Sequence, residues 1–133
     1  MTSVRHDWKR ELLPNLEQVE RFCDEFRVFC STNCARLDAF TAELLLREAL
    51  TNAVRHGGRS NARQRISCTL RAKPASLLIV IRDGGHGFNW AARGKSCPDP
   101  SATGGRGIAI LRKYASAVRF NREGNMVALF RRF

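Results

Sequence analysis

The stretch REALTNAVRHGG, residues 47–58, carries a polar side chain at every fourth position of an otherwise apolar segment. At about 100° per residue, Glu48, Asn52 and His56 fall on one face of a helix, and the apolar residues fall on the opposite face. The apolar face predicts packing against a core. The polar row is either a solvated face or the wall of a ligand site. Asn is a poor helix former, so Asn52 would be a mildly costly choice for a solvated face.

The length and composition predict one soluble domain. The chain has 133 residues, of which 44% are hydrophobic and 26% charged. This length suits a single core, so we expect one domain, residues 1–133. No apolar run approaches the roughly 20 residues that span a bilayer, and the N-terminus lacks the apolar stretch of a signal peptide. We therefore expect a cytoplasmic protein without a membrane partner.

The charge of the chain is strongly positive. The 23 Lys and Arg residues exceed the 12 Asp and Glu residues, which gives a net charge of +11. This excess favours anionic ligands or an acidic protein partner. The basic residues form no block and are not interleaved with aromatic residues, as a stacking surface for nucleic acid requires. We expect no direct nucleic-acid partner.

The cysteines and histidines indicate neither disulfides nor a zinc site. Five cysteines are an odd number, and no Cys-x-x-Cys pair occurs. The three histidines also lack the spacing of zinc ligands. We expect reduced cysteines that mostly fill the core.

Two long helices are predicted in the first half of the chain. Apolar residues at helical spacing follow Asn15, a candidate N-cap, to about residue 31. Asp38 then caps a second helix, which includes the opening stretch and stops at Gly57-Gly58. Residues 6–12 alternate weakly and predict a short edge strand.

The second half predicts two hairpins and one more helix. ARQRISCTLRA and SLLIVIRD, residues 62–72 and 76–83, form the first hairpin. A helix is predicted over 108–116, and AVRF and NMVALFRRF form a hairpin that turns at 123–125. The predicted fold is an α/β two-layer sandwich, with helices on one face of a mainly antiparallel sheet.

A long segment between these parts is rich in glycine. It begins after Asp83 and runs to Gly107, with glycines clustered at each end. Loops of this length in small domains are usually functional or disordered. Glycines at the start of a helix let backbone N–H groups approach a phosphate, to which Arg106 could add charge. Asp83 could accept a hydrogen bond from an amino group such as that of adenine. Ordinary turns would also explain either glycine cluster.

The three motifs, in order, resemble the GHKL superfamily of ATP-binding domains, which share the Bergerat fold. Glu48-x-x-x-Asn52-x-x-x-His56-Gly57 resembles its N box, Asp83-x-Gly85-x-Gly87 its G1 box, and Gly105-x-Gly107 its G2 box. EALTNAVRHG, DGGHGF and GGRGIAIL are most similar to the anti-sigma-factor serine kinase (RsbW-like) family. The resemblance covers residues 15–132 and implies a mixed, mainly antiparallel sheet with an ATP lid at about 88–104.

The resemblance implies roles for individual residues. Glu48 would be the general base that activates a substrate hydroxyl, and Asn52 would ligate Mg²⁺. Asp83 would bind the adenine amino group, with Gly85 and Gly87 making room for the base. Three residues at the start of the last helix would hold the phosphates: Gly105, Arg106 and Gly107. His56 would either hydrogen-bond the following turn or contact the nucleotide, and the lid carries Cys97.

The resemblance also implies a function and partners. We expect an ATP- and Mg²⁺-dependent serine/threonine protein kinase and anti-sigma factor that phosphorylates a STAS-domain anti-anti-sigma protein, with a sigma factor as a further candidate partner. Such relatives are homodimers, which makes residues 6–30 the expected dimer or partner face, with Trp8, Phe22 and Phe26 as contact candidates or ordinary core residues. Of these two roles, we expect Phe22 and Phe26 to be core residues.

Two alternatives stay open. One is a nucleotide-binding switch that regulates a partner without phosphoryl transfer. The other is the detached ATPase domain of a histidine kinase. No phosphoacceptor helix precedes the domain within the sequence, and the Phe of DGGHGF matches the serine kinases better than the usual Ile.

Overall fold

The computed structural model of the chain describes residues 5–33, 38–57, 65–83 and 105–133. Within these ranges the chain forms three helices and five strands. In chain order they are β1 (His6–Leu12), α1 (Leu16–Asn33), α2 (Ala39–Gly57), β2 (Ile66–Lys73), β3 (Ser76–Arg82), α3 (Gly105–Tyr114), β4 (Ala117–Phe120) and β5 (Met126–Arg132).

The five strands form one sheet in the order β1-β2-β3-β5-β4. Each pairing between the described strands is antiparallel. The predicted edge strand and both hairpins are confirmed, as is the mainly antiparallel character of the sheet. The parallel pair that a mixed sheet would contain does not occur among these strands. β3 pairs with β5, so the end of β3 lies beside the start of β5.

The helices cover one face of this sheet, which confirms the two-layer α/β architecture. α2 is central, contacts β2, β3 and β5, and is flanked by α1 and α3. Every second residue of β2 and β3 is buried, as expected for a sheet with one covered face. The largest fully buried side chains are Phe22, Phe26, Leu45, Leu46, Leu50, Ile66, Leu70, Leu77, Ile79, Ile81, Ile108 and Leu111.

Both predicted N-caps are present. The Asn15 side-chain oxygen accepts the Gln18 N–H at 2.9 Å, and the Gln18 side-chain oxygen accepts the Leu13 N–H at 3.0 Å. Asp38 accepts the Thr41 hydroxyl at 2.6 Å and the Thr41 N–H at 3.3 Å. These bonds, the hydroxyl first, lower the pKa of Asp38. The caps satisfy N–H groups that have no partner inside the helix, and so fix where each helix begins.

Two predicted helix boundaries differ from the structure by a few residues. α1 continues to Asn33 instead of residue 31, and α3 begins at Gly105 instead of after Gly107. Because α3 begins earlier, Gly107 lies inside its first turn. This turn is the part of α3 that reaches the polar row of α2.

The aromatic residues near β1 belong to the core between β1 and α1. Phe22 and Phe26 are buried, as preferred from the sequence. Trp8 is half-buried and packs against Phe22 and Phe29, with ring centroids 5.0 and 5.1 Å apart. Trp8 is therefore not a fully exposed contact residue.

Candidate nucleotide site

The polar row of α2 does not form a solvated face. Asn52 is only 7% exposed, and Glu48 is half-buried. His56 lies near the C-terminal end of α2, but its side chain lies outside the described part of the chain. In the structure, the Glu48 carboxylate and the Asn52 carboxamide of this row therefore lie against neighbouring elements.

Gly107 brings the first turn of α3 against these two side chains. A Cβ atom placed on Gly107 would lie 2.9 Å from Asn52 Oδ1, 3.1 Å from Asn52 Nδ2 and 3.1 Å from Glu48 Oε2. A larger residue here would require the Asn52 or Glu48 side chain to move, because side-chain atoms pack at about 3.5–4.0 Å. Two motifs that lie far apart in the sequence thus meet at one point.

The carboxamide of Asn52 has no hydrogen-bond partner within the described residues. Both its oxygen and its nitrogen are buried. A buried polar group without a partner costs about 1–3 kcal/mol, and such groups are rare in native proteins. An amide oxygen is a suitable ligand for a hard cation, and an amide N–H suits an anionic oxygen. The unsatisfied carboxamide indicates a place where a ligand binds.

A pocket with about 310 Å³ of empty space, including open solvent, lies next to Asn52. Its polar side chains include Asn52, Asp83 and Asn125. Asp83 follows β3 directly and is 8% exposed, and its N–H donates to the Asn125 carbonyl at 2.9 Å. The other lining residues, mostly apolar or small, are Ala49, Ala53, Ile81, Leu111, Phe120, Gly124, Met126 and Val127. Apolar walls with a few polar groups are typical of sites for small ligands.

One wall of this pocket is the turn between β4 and β5, which the sequence predicts as a hairpin turn but not as part of a site. Gly124 lies in this turn with a φ of 78°, a conformation that favours glycine. Gly124, Asn125 and Met126 all line the pocket. The sequence signal was present in Glu123-Gly124-Asn125. To predict that this turn lies at the pocket, the order of the strands must be known, because only the β3–β5 pairing puts the turn beside Asp83.

Not all of the predicted site residues lie within the part of the chain that the structure describes. Gly85, Gly87 and the predicted lid at 88–104, with Cys97, lie outside the described residues. Gly105 and Arg106 are the first residues of α3, where the structure describes the helix but not the Arg106 side chain. The structure thus brings Glu48, Asn52 and Gly107 together, with Asp83 in the adjoining pocket.

The sequence of the chain is matched by a family model. The model describes the histidine kinase-like ATPase domain and matches residues 12–131, nearly the whole chain. The chain belongs to this family. The predicted membership of the wider GHKL superfamily is confirmed with it, and the finer serine kinase assignment stays a prediction. A search of curated proteins found no match.

Membership of the histidine kinase-like ATPase family implies ATP as the ligand of the domain. A domain of this family binds ATP, which agrees with an unsatisfied Asn52 beside a pocket of suitable chemistry. Within the described residues, no group of three or more His, Cys, Asp or Glu side chains could hold a metal ion by itself. None of the described helices is both long and apolar enough to span a membrane.

Proposed function

We propose that the protein is a Mg²⁺- and ATP-dependent serine/threonine protein kinase, and an anti-sigma factor that phosphorylates a STAS-domain anti-anti-sigma protein. The observation that carries this proposal is the Glu48 carboxylate beside Asn52 and the first turn of α3. Adenine binding is assigned to Asp83, and a carboxylate is not needed to fill a core, so neither role accounts for Glu48. At the edge of a nucleotide site, it supplies a base for a hydroxyl nucleophile.

The residues present fit a magnesium ion bound together with ATP. Mg²⁺ prefers oxygen ligands and usually binds through one or two protein groups, substrate phosphates and water. The Asn52 oxygen is such a group and lacks a partner among the described residues. When bound, Mg²⁺ neutralises phosphate charge and orients the phosphates. A site of this kind needs no cluster of protein ligands.

In the proposed reaction, the serine or threonine oxygen of the substrate forms a bond to the γ-phosphorus of ATP. The bond from that phosphorus to the oxygen bridging it to the β-phosphate breaks, and ADP leaves with the electron pair. Glu48 accepts the hydroxyl proton. Asn52 and the start of α3 position the phosphates, and Asp83 holds the base. Such chemistry depends mainly on positioning and charge stabilisation.

The partner rests on the resemblance to anti-sigma-factor serine kinases. The net charge of +11 supports an acidic protein partner, including a sigma factor, because opposite charges accelerate encounter.

A homodimer through β1 and α1 is part of the same proposal. β1 is an edge strand of the described sheet, and edge strands offer backbone groups for pairing. Light scattering across a concentration series tests the dimer, and a constant monomer mass would contradict it.

The decisive experiment is phosphoryl transfer. The pure chain is incubated with labelled ATP, Mg²⁺ and the STAS protein encoded near its gene, and the products are analysed by mass spectrometry. We expect a phosphoserine or phosphothreonine on the STAS protein, and none when its modified residue is replaced by alanine. ATP binding without transfer, together with nucleotide-dependent partner release, would instead support the switch. Transfer to a histidine would support the histidine kinase alternative.

A further inference from the structure

The side chain of Asn121 helps to hold the turn that forms one wall of the nucleotide pocket. Two backbone hydrogen bonds act beside it: the Gly124 N–H donates to the Asn121 carbonyl at 3.2 Å, and the Asn121 N–H donates to the Met126 carbonyl at 3.1 Å. Asn121 follows β4, and its Oδ1 accepts three backbone N–H groups: from Gly124 at 2.9 Å, from Asn125 at 3.0 Å and from Met126 at 3.1 Å. The three donors are the N–H groups of pocket-lining residues. One oxygen therefore binds three consecutive backbone N–H groups of this wall.

The nitrogen of the same carboxamide reaches a side chain of the pocket. Asn121 Nδ2 donates to Asn125 Oδ1 at 2.6 Å. The three N–H donors fix which end of the Asn121 carboxamide is the oxygen. The Asn125 carboxamide is thereby oriented too, because a flip would place its NH₂ against the NH₂ of Asn121.

The held turn is joined directly to the proposed adenine-binding residue. The Asn125 carbonyl accepts the N–H of Asp83 at 2.9 Å. Asp83, Asn125 and Phe120 all line the pocket. Any displacement of the turn would change the distance between these two polar side chains and the room left for a base.

We propose that Asn121 is a positioning residue for base recognition: it sets the preference for adenine by holding Asn125 and the β4–β5 turn against Asp83. Asn121 itself is not among the residues that line the pocket. Its effect passes through Asn125 and the backbone. The inference rests on adenine binding at the proposed site, but it is independent of whether a protein is phosphorylated.

The test compares ATP with inosine triphosphate, in which an oxygen replaces the amino group of adenine. Both affinities are measured by titration calorimetry. The quantity compared between variants is the ratio of the affinity for ATP to the affinity for inosine triphosphate. We expect Asn121→Ala to weaken ATP binding by about tenfold while inosine triphosphate binding changes little, so that the ratio falls. Asn121→Asp keeps an oxygen acceptor for the three N–H groups but removes the Nδ2 donor to Asn125, so it should retain only part of the ratio.

A second variant covers the case in which Asn121→Ala does not fold. Asn125→Ala leaves the three N–H bonds to Asn121 in place and removes the oriented carboxamide. We expect the ratio to fall in this variant too. The double variant should lose no more selectivity than Asn125→Ala alone, since the two residues act in one chain of contacts.

The matched control is Asn15→Ala. Asn15 also accepts a backbone N–H, at 2.9 Å from Gln18, but lies at the start of α1 and outside the pocket. For Asn15→Ala we expect a lower free energy of unfolding and an unchanged ratio of ATP affinity to inosine triphosphate affinity. An unchanged ratio in Asn121→Ala and Asn125→Ala, or an equal loss in Asn15→Ala, would overturn the proposal. So would equal binding of both nucleotides by the unaltered chain, whereas failure of phosphoryl transfer alone would overturn only the kinase proposal.

Discussion

A Cβ atom on Gly107 would lie 2.9 Å from the side-chain oxygen of Asn52, although the two residues are more than 50 positions apart in the chain. Asn52 comes from the central helix and Gly107 from the first turn of α3. The absence of a side chain at residue 107 lets the start of α3 approach the carboxamide. This contact joins the residue proposed to hold Mg²⁺ to the backbone proposed to hold phosphate.

The first prediction concerns this contact. Gly107→Ala should lower ATP affinity by about 10–100-fold, because the added methyl group must displace the carboxamide of Asn52 or the helix. Calorimetric titration with ATP measures the effect. Ala109→Gly, at an exposed position of the same helix, weakens the helix by about 1 kcal/mol and should leave ATP affinity unchanged. Equal affinity of Gly107→Ala and the unaltered chain would show that the close approach does not matter for binding.

The second prediction separates binding from chemistry at Glu48. Glu48→Gln keeps the shape of the side chain but cannot accept a proton, so ATP affinity should change by less than about threefold while transfer falls by about 10²–10⁴-fold. Titration and the transfer assay are run on the same preparation. Glu43→Gln makes the same chemical change one turn earlier on α2 and should retain transfer. If Glu48→Gln instead lost ATP binding and kept transfer per bound ATP, Glu48 would be a binding residue.

The third prediction concerns the base. Asp83→Asn places an N–H donor where the adenine amino group needs an acceptor, in a site where residue 83 is 8% exposed. ATP affinity should fall by about 10–100-fold, with GTP affinity changed much less. Competition between the two nucleotides measures the preference. Asp38→Asn is the control, because asparagine caps a helix about as well as aspartate. An unaltered preference for ATP over GTP in Asp83→Asn would remove Asp83 from base recognition.

The fourth prediction concerns stability and pH at the contact between α1 and α2. Glu43 accepts two bonds from Arg27, at 2.5 and 2.9 Å, and one from Arg47 at 2.9 Å. The hydrogen bonds from Arg27 are the main cause that lowers the pKa of Glu43 below 4.5. A lowered pKa in the folded state stabilises the fold above the unfolded-state pKa, and this stabilisation is lost as the pH falls through the folded-state pKa.

Glu43→Gln should therefore lower the free energy of unfolding by about 1–2 kcal/mol at pH 7, and by progressively less as the pH falls below about 4. Denaturant unfolding at a series of pH values measures the difference. Glu17→Gln is the matched control, since Glu17 pairs with Arg21 on the exposed surface of α1 and such pairs contribute little. A difference that stayed constant down to pH 3 would exclude the ion pair as its cause.

The fifth prediction concerns the cysteines. Cys23 and Cys68 are free and buried, and burial raises the pKa of Cys23 to about 11 and that of Cys68 further still. Since the thiolate is the reactive form, these residues should resist iodoacetamide at pH 8 in the folded chain and react in denaturant. Mass spectrometry of the labelled peptides reads out each site. Rapid labelling of Cys23 in the folded chain would contradict the described core.

The elements that could be predicted from sequence are those specified locally. Asn15 and Asp38 act as caps through bonds to residues three positions away, and the alternation of β2 and β3 follows from one covered face. The helix that carries Glu48 and Asn52 is local in the same sense. Hairpin partners are neighbours in the chain, so the first and last hairpins were predicted correctly.

The sequence determined the helices, the hairpins and the identity of the polar residues, because each depends on contacts within a few residues. It left open whether the Asn52 row faces water, and it did not reveal Asn121 as the residue that holds the pocket wall. Only the tertiary structure decided these points. The β3–β5 pairing puts Asn125 beside Asp83, and the packing of α3 on α2 buries the Asn52 carboxamide. Both depend on contacts between segments distant in the chain, which local spacing does not encode.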